Sequence, residues 1–357
     1  MEQSNKISFK GKNIYVGLDV HLKSWSVTIL SETSLLKQMR QDADPEGLHR
    51  FLVNHYPEAE YFSVYEAGFC GFWIHDRLMA LGIHNIVVNP ADVPTMSSER
   101  LRKTDAIDSK KLAIGLRAKQ LKGIFTPDKE VIEIRSLIRL KNSTTKDITR
   151  QKNRIKSQLR YIGIQIPKEL DQAQVSWSRR FVNWLREVEL HTLYGRQTLD
   201  IQLMQLDDLR KQKAQIMKRL RELSHTERFN GTLKLLMTIP GIGQVTGLSL
   251  LAEIIDISRF KSSEQLAAYI GMIPMCHSSG EHNGSGDITL RKHAGLRCSI
   301  IEASWVAIRK DEALQLCYLQ NVKRMPAGKA IVKVARKLVN RLFFVLKHQQ
   351  PYVIAKS

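Results

Sequence analysis

The chain has no apolar run of the roughly 18–20 residues that a membrane span requires, and residues 1–12 lack the apolar core of a signal peptide. These two absences exclude membrane-embedded and secreted classes and predict a soluble cytoplasmic, nucleoid-associated protein. Cysteine is scarce. Its four copies, Cys70, Cys276, Cys298 and Cys317, are widely scattered, with no CxxC and no histidine pair at finger spacing. They read as reduced, mostly buried thiols and argue against a structural zinc site. There is no GxSxG elbow and no His and Asp placed to complete one, which excludes a hydrolase triad. Acid is also in deficit: 35 Asp and Glu stand against 55 Lys and Arg, for a net charge of +20. Such an excess suits a polyanionic partner, because each neutralised phosphate releases condensed counterions. A merely solvated basic surface is the alternative, but a soluble enzyme of small molecules rarely carries twenty extra charges.

What is present is an ordinary globular composition, 43% apolar over 357 residues, long enough for two cores. Residues 13–19 (NIYVGLD) are a β-branched run ending in an acid, and 24–30 alternate with period two as a hairpin partner. Residues 34–41 read as a third strand. A helix follows over 45–55 with Asp44 as its N-cap. A strand at 61–66 again ends in an acid, and helix, strand, helix follow at 73–81, 85–89 and 105–116. This order predicts an α/β domain with a mixed sheet over residues 1–122.

Residues 123–228 change character. Glycine is sparse, charge dominates, and apolar residues recur at helical spacing over 129–161 and about 192–222. These lengths suit antiparallel arms or a coiled coil, for dimerisation or for gripping nucleic acid. Two long helices packed within one subunit account for the pattern equally. The mainly helical region 229–357 contains Thr238-Ile239-Pro240-Gly241-Ile242-Gly243 followed by a small-residue helix over 244–255. This is a helix-hairpin-helix pattern, in which Gly241 and Gly243 leave backbone N–H groups free for a phosphate. A plain αα-turn is the alternative. Residues 277–286 read as a polar Gly/Ser-rich loop. Helices follow around 296–310 and over 330–347.

Four carboxylates form a constellation. Asp19 and Glu66 end strands that lie side by side if the first and fourth strands are neighbours. Asp105 and Asp108 are i and i+3 on one helix face. Clustered acids are costly unless cations bind them, and hard oxygens at loose spacing suit Mg²⁺. Paired ions of that kind stabilise both the attacking and the leaving oxygen of phosphoryl transfer. Each acid also has an ordinary explanation. Asp105 and Asp108 sit where the helix dipole favours acids, and Asp19 and Glu66 could cap strands. Ser278-Ser279-Gly280 offers a hydroxyl nucleophile in a cationic region, although such a tripeptide is more often a turn.

The segments YVGLDVH, YEAG and KTDAIDSKKLA resemble the RuvC-like, RNase H-fold domain of DEDD-type insertion-sequence transposases. TIPGIGQVTGLSLLAEI, AAYIGMIP, HSSGEHNGSGDIT and IIEASWVAIRKD resemble their C-terminal transposase domain, a superfamily shared with the Piv-type DNA invertases. The resemblance spans nearly the whole chain in the expected order. It implies that Asp19, Glu66, Asp105 and Asp108 bind Mg²⁺, or Mn²⁺, and that Ser279, with Ser278 as fallback, attacks DNA covalently. It further implies a structured non-coding bridge RNA as guide. A homo-oligomer, dimer or tetramer, is implied as well, with the RuvC-like domain of one subunit meeting the serine of another. The chain departs from the pattern at Lys292-His293, where many relatives have Gly-Asn. Lys103, Arg291, Lys292 and Arg297 are candidate phosphate contacts, with solvated helix-start cations as the equal alternative. Two other functions remain open on sequence grounds, a RuvC-like junction-resolving endonuclease acting by hydrolysis and a non-catalytic nucleic-acid-binding protein.

Overall fold

A computed structural model of the chain describes residues 8–94, 104–172, 175–279, 282–289 and 292–354, with 276–279 and 282–287 as backbone alone. The chain divides into two compact units, Met1–Pro127 and Asp128–Ser357.

In the first unit, β1 (Asn13–Val20), β2 (Ser24–Leu30) and β3 (Leu35–Asp42) form an antiparallel meander. β4 (Glu60–Glu66) adds parallel to β1, and β5 (His84–Val88) adds parallel to β4, giving the order β3-β2-β1-β4-β5. This mixed five-stranded sheet is consistent with the RNase H-like fold expected of a DEDD domain. Alternation along β1 puts Ile14, Val16 and Leu18 on one face. There they pack with Leu48 and Leu52 of α1 (Pro45–His55) and with Ile74 and Leu78 of α2 (Trp73–Ala80). The Asp44 carboxylate caps α1 as expected, accepting from the Glu46 N–H at 3.0 Å.

The opposite face carries α3 (Asp105–Arg117). The helix sits so close that a Cβ added at Gly17 would lie 2.0 Å from the Ser109 carbonyl oxygen and 2.5 Å from the Ala113 nitrogen. Glycine in the middle of β1 is thus set by close backbone approach. Polar bonds fix the first turns of the helix. The Thr28 and Ser109 hydroxyls meet at 2.8 Å in the interior, and Gln38 Nε2 donates to the Ala106 carbonyl at 2.6 Å.

The second unit opens with α4 (Lys129–Tyr161), 33 residues long, and later returns along it as the 32-residue α6 (Leu193–Ser224). Ile148, Ile155 and Leu159 of α4 pack with Leu199, Leu203 and Leu206 of α6 and with Phe181 and Leu185 of α5 (Arg179–Glu187). Toward the other end, Ile134 and Ile138 meet Ile216 and Leu220. The start of one helix therefore faces the end of the other, and the pair is antiparallel within one chain.

The remaining helices are α7 (Glu227–Met237), α8 (Gln244–Ile254), α9 (Ser263–Ile270), α10 (Ala294–Ala307), α11 (Glu312–Val322) and α12 (Ala327–His348). They share a core in which Val334, Ala335, Leu338, Leu342 and Val345 of α12 are buried.

The Gly/Ser-rich stretch expected to be a loop is instead an antiparallel hairpin of β6 (Pro274–Ser279) and β7 (His282–Ile288). Main-chain pairing satisfies backbone groups whatever the local composition, so strand formation here follows the partner and not propensity. α11 was not legible as a helix because only Leu314 and Cys317 of it are buried, too sparse a stripe to register. Of the four cysteines expected to be mostly buried, Cys317 is buried, Cys70 half-buried and Cys298 exposed, while the Cys276 side chain lies outside the described ones. Among the described residues no helix is long and apolar enough to cross a membrane.

Candidate active site

β1 and β4 run in parallel register as far as the Leu18–Tyr65 pair, and Asp19 and Glu66 are the next residues of each strand. The sequence expectation that these acids stand side by side is met at the level of strand register. By alternation Asp19 shares its face with Gly17, the face that α3 covers. That helix begins beside it. Thr104 caps it by accepting from the Ile107 N–H, and Asp105 and Asp108 occupy its first turn.

The tightest part of the cluster is Asp19, His21 and Asp105, whose ligand atoms all lie within 4.8 Å of one another. His21 Nε2 is 3.4 Å from Asp19 Oδ2 and 3.6 Å from Asp105 Oδ2. Asp108 stands 3.9 Å from Lys111 Nζ and is near enough for its charge to act on Asp19. Glu66, half-buried, closes β4. His21 was not singled out from the sequence. The signal was the Asp19-Val20-His21 spacing, since residues i and i+2 on extended chain share a face.

Burial pushes the Asp19 carboxyl above its ordinary value. The neighbouring His21 imidazole opposes the rise, and the Asp105 and Asp108 charges add to it. A carboxyl raised in this way by burial and by neighbouring acids is relieved by a bound cation. The donor set fits one: two to four hard carboxylate oxygens suit Mg²⁺ or Mn²⁺, and an imidazole adds a donor that transition metals accept.

The C-terminal candidates are placed differently. Ser278 and Ser279 stand on β6, with Ser279 paired to His282 across the hairpin. Lys103 and Arg291 lie outside the described residues, and Lys292 is exposed. Arg297 corrects its expected role. It is buried, and its guanidinium donates to the carbonyls of Gly271 and Thr289, the latter at 2.6 Å. It is a strut under the hairpin, with little surface to offer a phosphate.

α7 and α8 pack as a helical pair around the PGIG turn. Gly241 has φ +89°, and a Cβ there would lie 2.1 Å from the Ala303 carbonyl oxygen, so its conformation also serves a close approach to α10. Gly243 precedes α8 in open space. At the departure from the family pattern, His293 caps α10 by accepting from the Leu296 N–H at 3.3 Å through Nδ1. Its Nε2 lies 3.3 Å from the buried Glu253.

Acids gathered at the strand ends of a mixed sheet, in a strongly basic chain, define a DEDD-type domain, with divalent-metal dependence as its chemical signature. Residues 16–164 match the DEDD transposase family of the IS110 type, and residues 233–319 match the transposase IS116/IS110/IS902 family, between them more than half of the chain. A Sinorhizobium fredii protein named as transposase y4rJ is 28% identical over 386 aligned residues, covering 92% of this chain and 91% of that one. The Coxiella burnetii transposase for insertion sequence element IS1111A is 24% identical over 77% of this chain and 74% of its own length. The pilin gene-inverting protein of Moraxella bovis is 34% identical over a shorter stretch, 36% of this chain and 40% of its own. The chain belongs to the IS110 family of insertion-sequence transposases, enzymes of DNA recombination.

Proposed function

We propose that this transposase cuts and rejoins DNA by using Asp19, Glu66, Asp105 and Asp108 as metal-binding carboxylates and Ser279 as a covalent nucleophile. The observation that carries the reading is the gathering of Asp19, Asp105 and His21 within ligand distance of one another at the end of β1, with Asp108 near enough to act on Asp19 electrostatically. Mg²⁺ or Mn²⁺ held there would supply charge stabilisation at the scissile phosphate. The carboxylates themselves orient that centre, and the Gln38 and Thr28 bonds to α3 hold Asp105 and Asp108 in place.

In the serine step, the Ser279 hydroxyl oxygen bonds to phosphorus as the P–O3′ bond breaks. The serine proton ends on the departing 3′-hydroxyl, and reversal with another 3′-hydroxyl exchanges strands. The helix-hairpin-helix at Gly241 and Gly243, the long arms acting as a coiled coil, and the cations Lys103, Arg291 and Lys292 would meet phosphates of DNA or of a structured bridge RNA. The reading includes a tetramer in which carboxylates of one subunit serve the serine of another. Nucleic-acid binding should then weaken steeply with salt.

The test is reaction with element-end DNA and the flanking non-coding RNA in Mg²⁺, followed by a denaturing gel. The expected result is a protein–DNA adduct that survives denaturation and is missing in Ser279→Ala. Free nicked DNA without an adduct, still lost in Asp19→Ala, would replace this reading with hydrolytic junction resolution.

A further inference from the structure

Beside the carboxylates in the first unit opens a cleft of about 500 Å³, whose lining includes His21, Leu22, Lys23, Arg40, Phe69 and Asp105. It shares His21 and Asp105 with the metal-binding group, so whatever fills it lies next to the reacting strand. It is a shallow, open depression, the form that suits one residue of a longer strand better than an enclosed small molecule.

The lining combines two chemistries seldom adjacent on a solvated surface. Phe69 is 67% exposed and Leu22 79% exposed. A single exposed apolar side chain is ordinary, but here two sit in one concavity with two cations. Arg40, on β3, is held by its Nε to the Ser24 hydroxyl at 2.9 Å, at the start of β2, and Lys23 precedes that strand. An aromatic face flanked by cations fits a flat π-system carrying negative charge on either side. A nucleotide within a strand has that form: its base stacks and its two phosphates pair with cations. A duplex covers both faces of each base by its neighbours, so the fitting occupant is an unpaired one.

We propose that this cleft binds an unpaired nucleotide, with its base against Phe69 and its flanking phosphates on Lys23 and Arg40, beside the position on which the carboxylates act. The proposal rests on the transposase reading for its location and extends it by naming the side chains that hold one nucleotide beside the cut. Leu22 covers the edge of the stacked base. DNA and RNA strands share this chemistry, and the oligonucleotides used in the test separate them.

The test uses the full chain with metal chelated, so that nothing is cut. Its probes are single-stranded DNA and RNA oligonucleotides carrying 2-aminopurine and a plain duplex of the same sequence. Binding should quench the 2-aminopurine fluorescence. Phe69→Ala should abolish the quenching and weaken single-strand binding about tenfold, the size of one stacked base. Phe69→Trp should retain both, and duplex binding should be unchanged in either variant, which controls for folding. Lys23→Ala and Arg40→Ala should each lower the salt slope by about one. Quenching by DNA alone or by RNA alone assigns the strand. Single-strand binding and quenching unaltered in Phe69→Ala would overturn the proposal, as would equal losses on duplex. If that happens while Mg²⁺-dependent cleavage persists, the recombinase reading stands alone. If wild-type cleavage is absent but quenching still depends on Phe69, the cleft stands and the recombinase reading falls.

Discussion

Around Asp19 three acids converge with one imidazole, and burial together with the neighbouring charges holds the Asp19 carboxyl above its ordinary value. Around Glu253, on α8 of the second unit, the balance is reversed. That carboxylate is 6% exposed and lies 3.1 Å from Arg135 Nε, 3.7 Å from Arg139 and 3.3 Å from His293 Nε2. Burial pushes it up, but the His293 bond and the Arg135 and Arg139 charges outweigh burial and hold it below the usual carboxylate range. Arg135 also donates to the carbonyls of Ala252 and Glu253, and Tyr269 donates to the Glu253 carbonyl. Glu253 therefore ties α4, α8, α9 and the cap of α10 together. Glu253 is matched by cations from within the fold, whereas at Asp19 burial and two neighbouring acids outweigh the single imidazole beside it.

The comparison can be broken most directly at Asp19. Asp19→Asn should lower DNA cleavage by about 10³-fold, the scale of losing one preorganised electrostatic group. It should also raise the melting temperature of the metal-free protein, because a neutral amide ends the repulsion. A nicking assay paired with melting in chelator reads both, and a lower melting point would show that the acids are already neutralised.

On the other side, Glu253→Gln should destabilise the protein by about 3 kcal/mol, since removing the buried charge leaves the largely buried Arg135 guanidinium unmatched. Urea unfolding measures it, and a loss under about 0.5 kcal/mol would place Glu253 among surface pairs of small effect.

Gly17→Ala sharpens the contrast from the backbone. The added methyl would strike α3, so a loss of about 2 kcal/mol is expected from overpacking. Cleavage should fall as well, because Asp105 and Asp108 ride on that helix. Retained cleavage at wild-type metal concentration would mean that the placement of α3 is not critical.

The smallest effect is in pH. The folded value of Asp19 is raised, so its contribution to stability is full below the ordinary 3.8 and is lost as pH rises through the raised value. Glu253 is lowered, so its contribution is present above the ordinary 4.5 and is lost as pH falls through the lowered value. Without metal, the advantage of Asp19→Asn over wild type should therefore grow as pH rises, and the deficit of Glu253→Gln should shrink as pH falls. Melting curves taken across the acid range check both slopes, and parallel curves would contradict the assignment.

Much of the first unit was legible because local rules and tertiary packing agree there. Alternation in NIYVGLD and SWSVTIL, the cap at Asp44 and the acid-ended strands all map onto observed elements. Asp19 and Asp105 were picked out by strand-end and helix-start position. The i, i+2 spacing of His21 from Asp19 suits a solvated histidine equally well; its meaning comes from two acids brought within 4 Å by separate elements. Arg297 was misread for the complementary reason: a cation at a helix start reads as surface, and only the carbonyls of Gly271 and Thr289 around it show otherwise.

The sequence by itself determined the strongly basic balance, the α/β domain with its acid-ended strands, the long helices of the second unit and the family motifs. These are properties of composition and of short-range periodicity, which a linear chain displays. Tertiary structure alone decided that the long helices pair antiparallel within one chain, that HSS and HNGSGDI form a hairpin, and that Gly17 must be glycine. It also decided which charges meet: Asp19 with His21 and Asp105 in one unit, Glu253 with Arg135 and His293 in the other. The physical reason is that electrostatic energy and steric contact depend on distance in space, and residues 84 or 118 positions apart acquire that distance only when the chain folds.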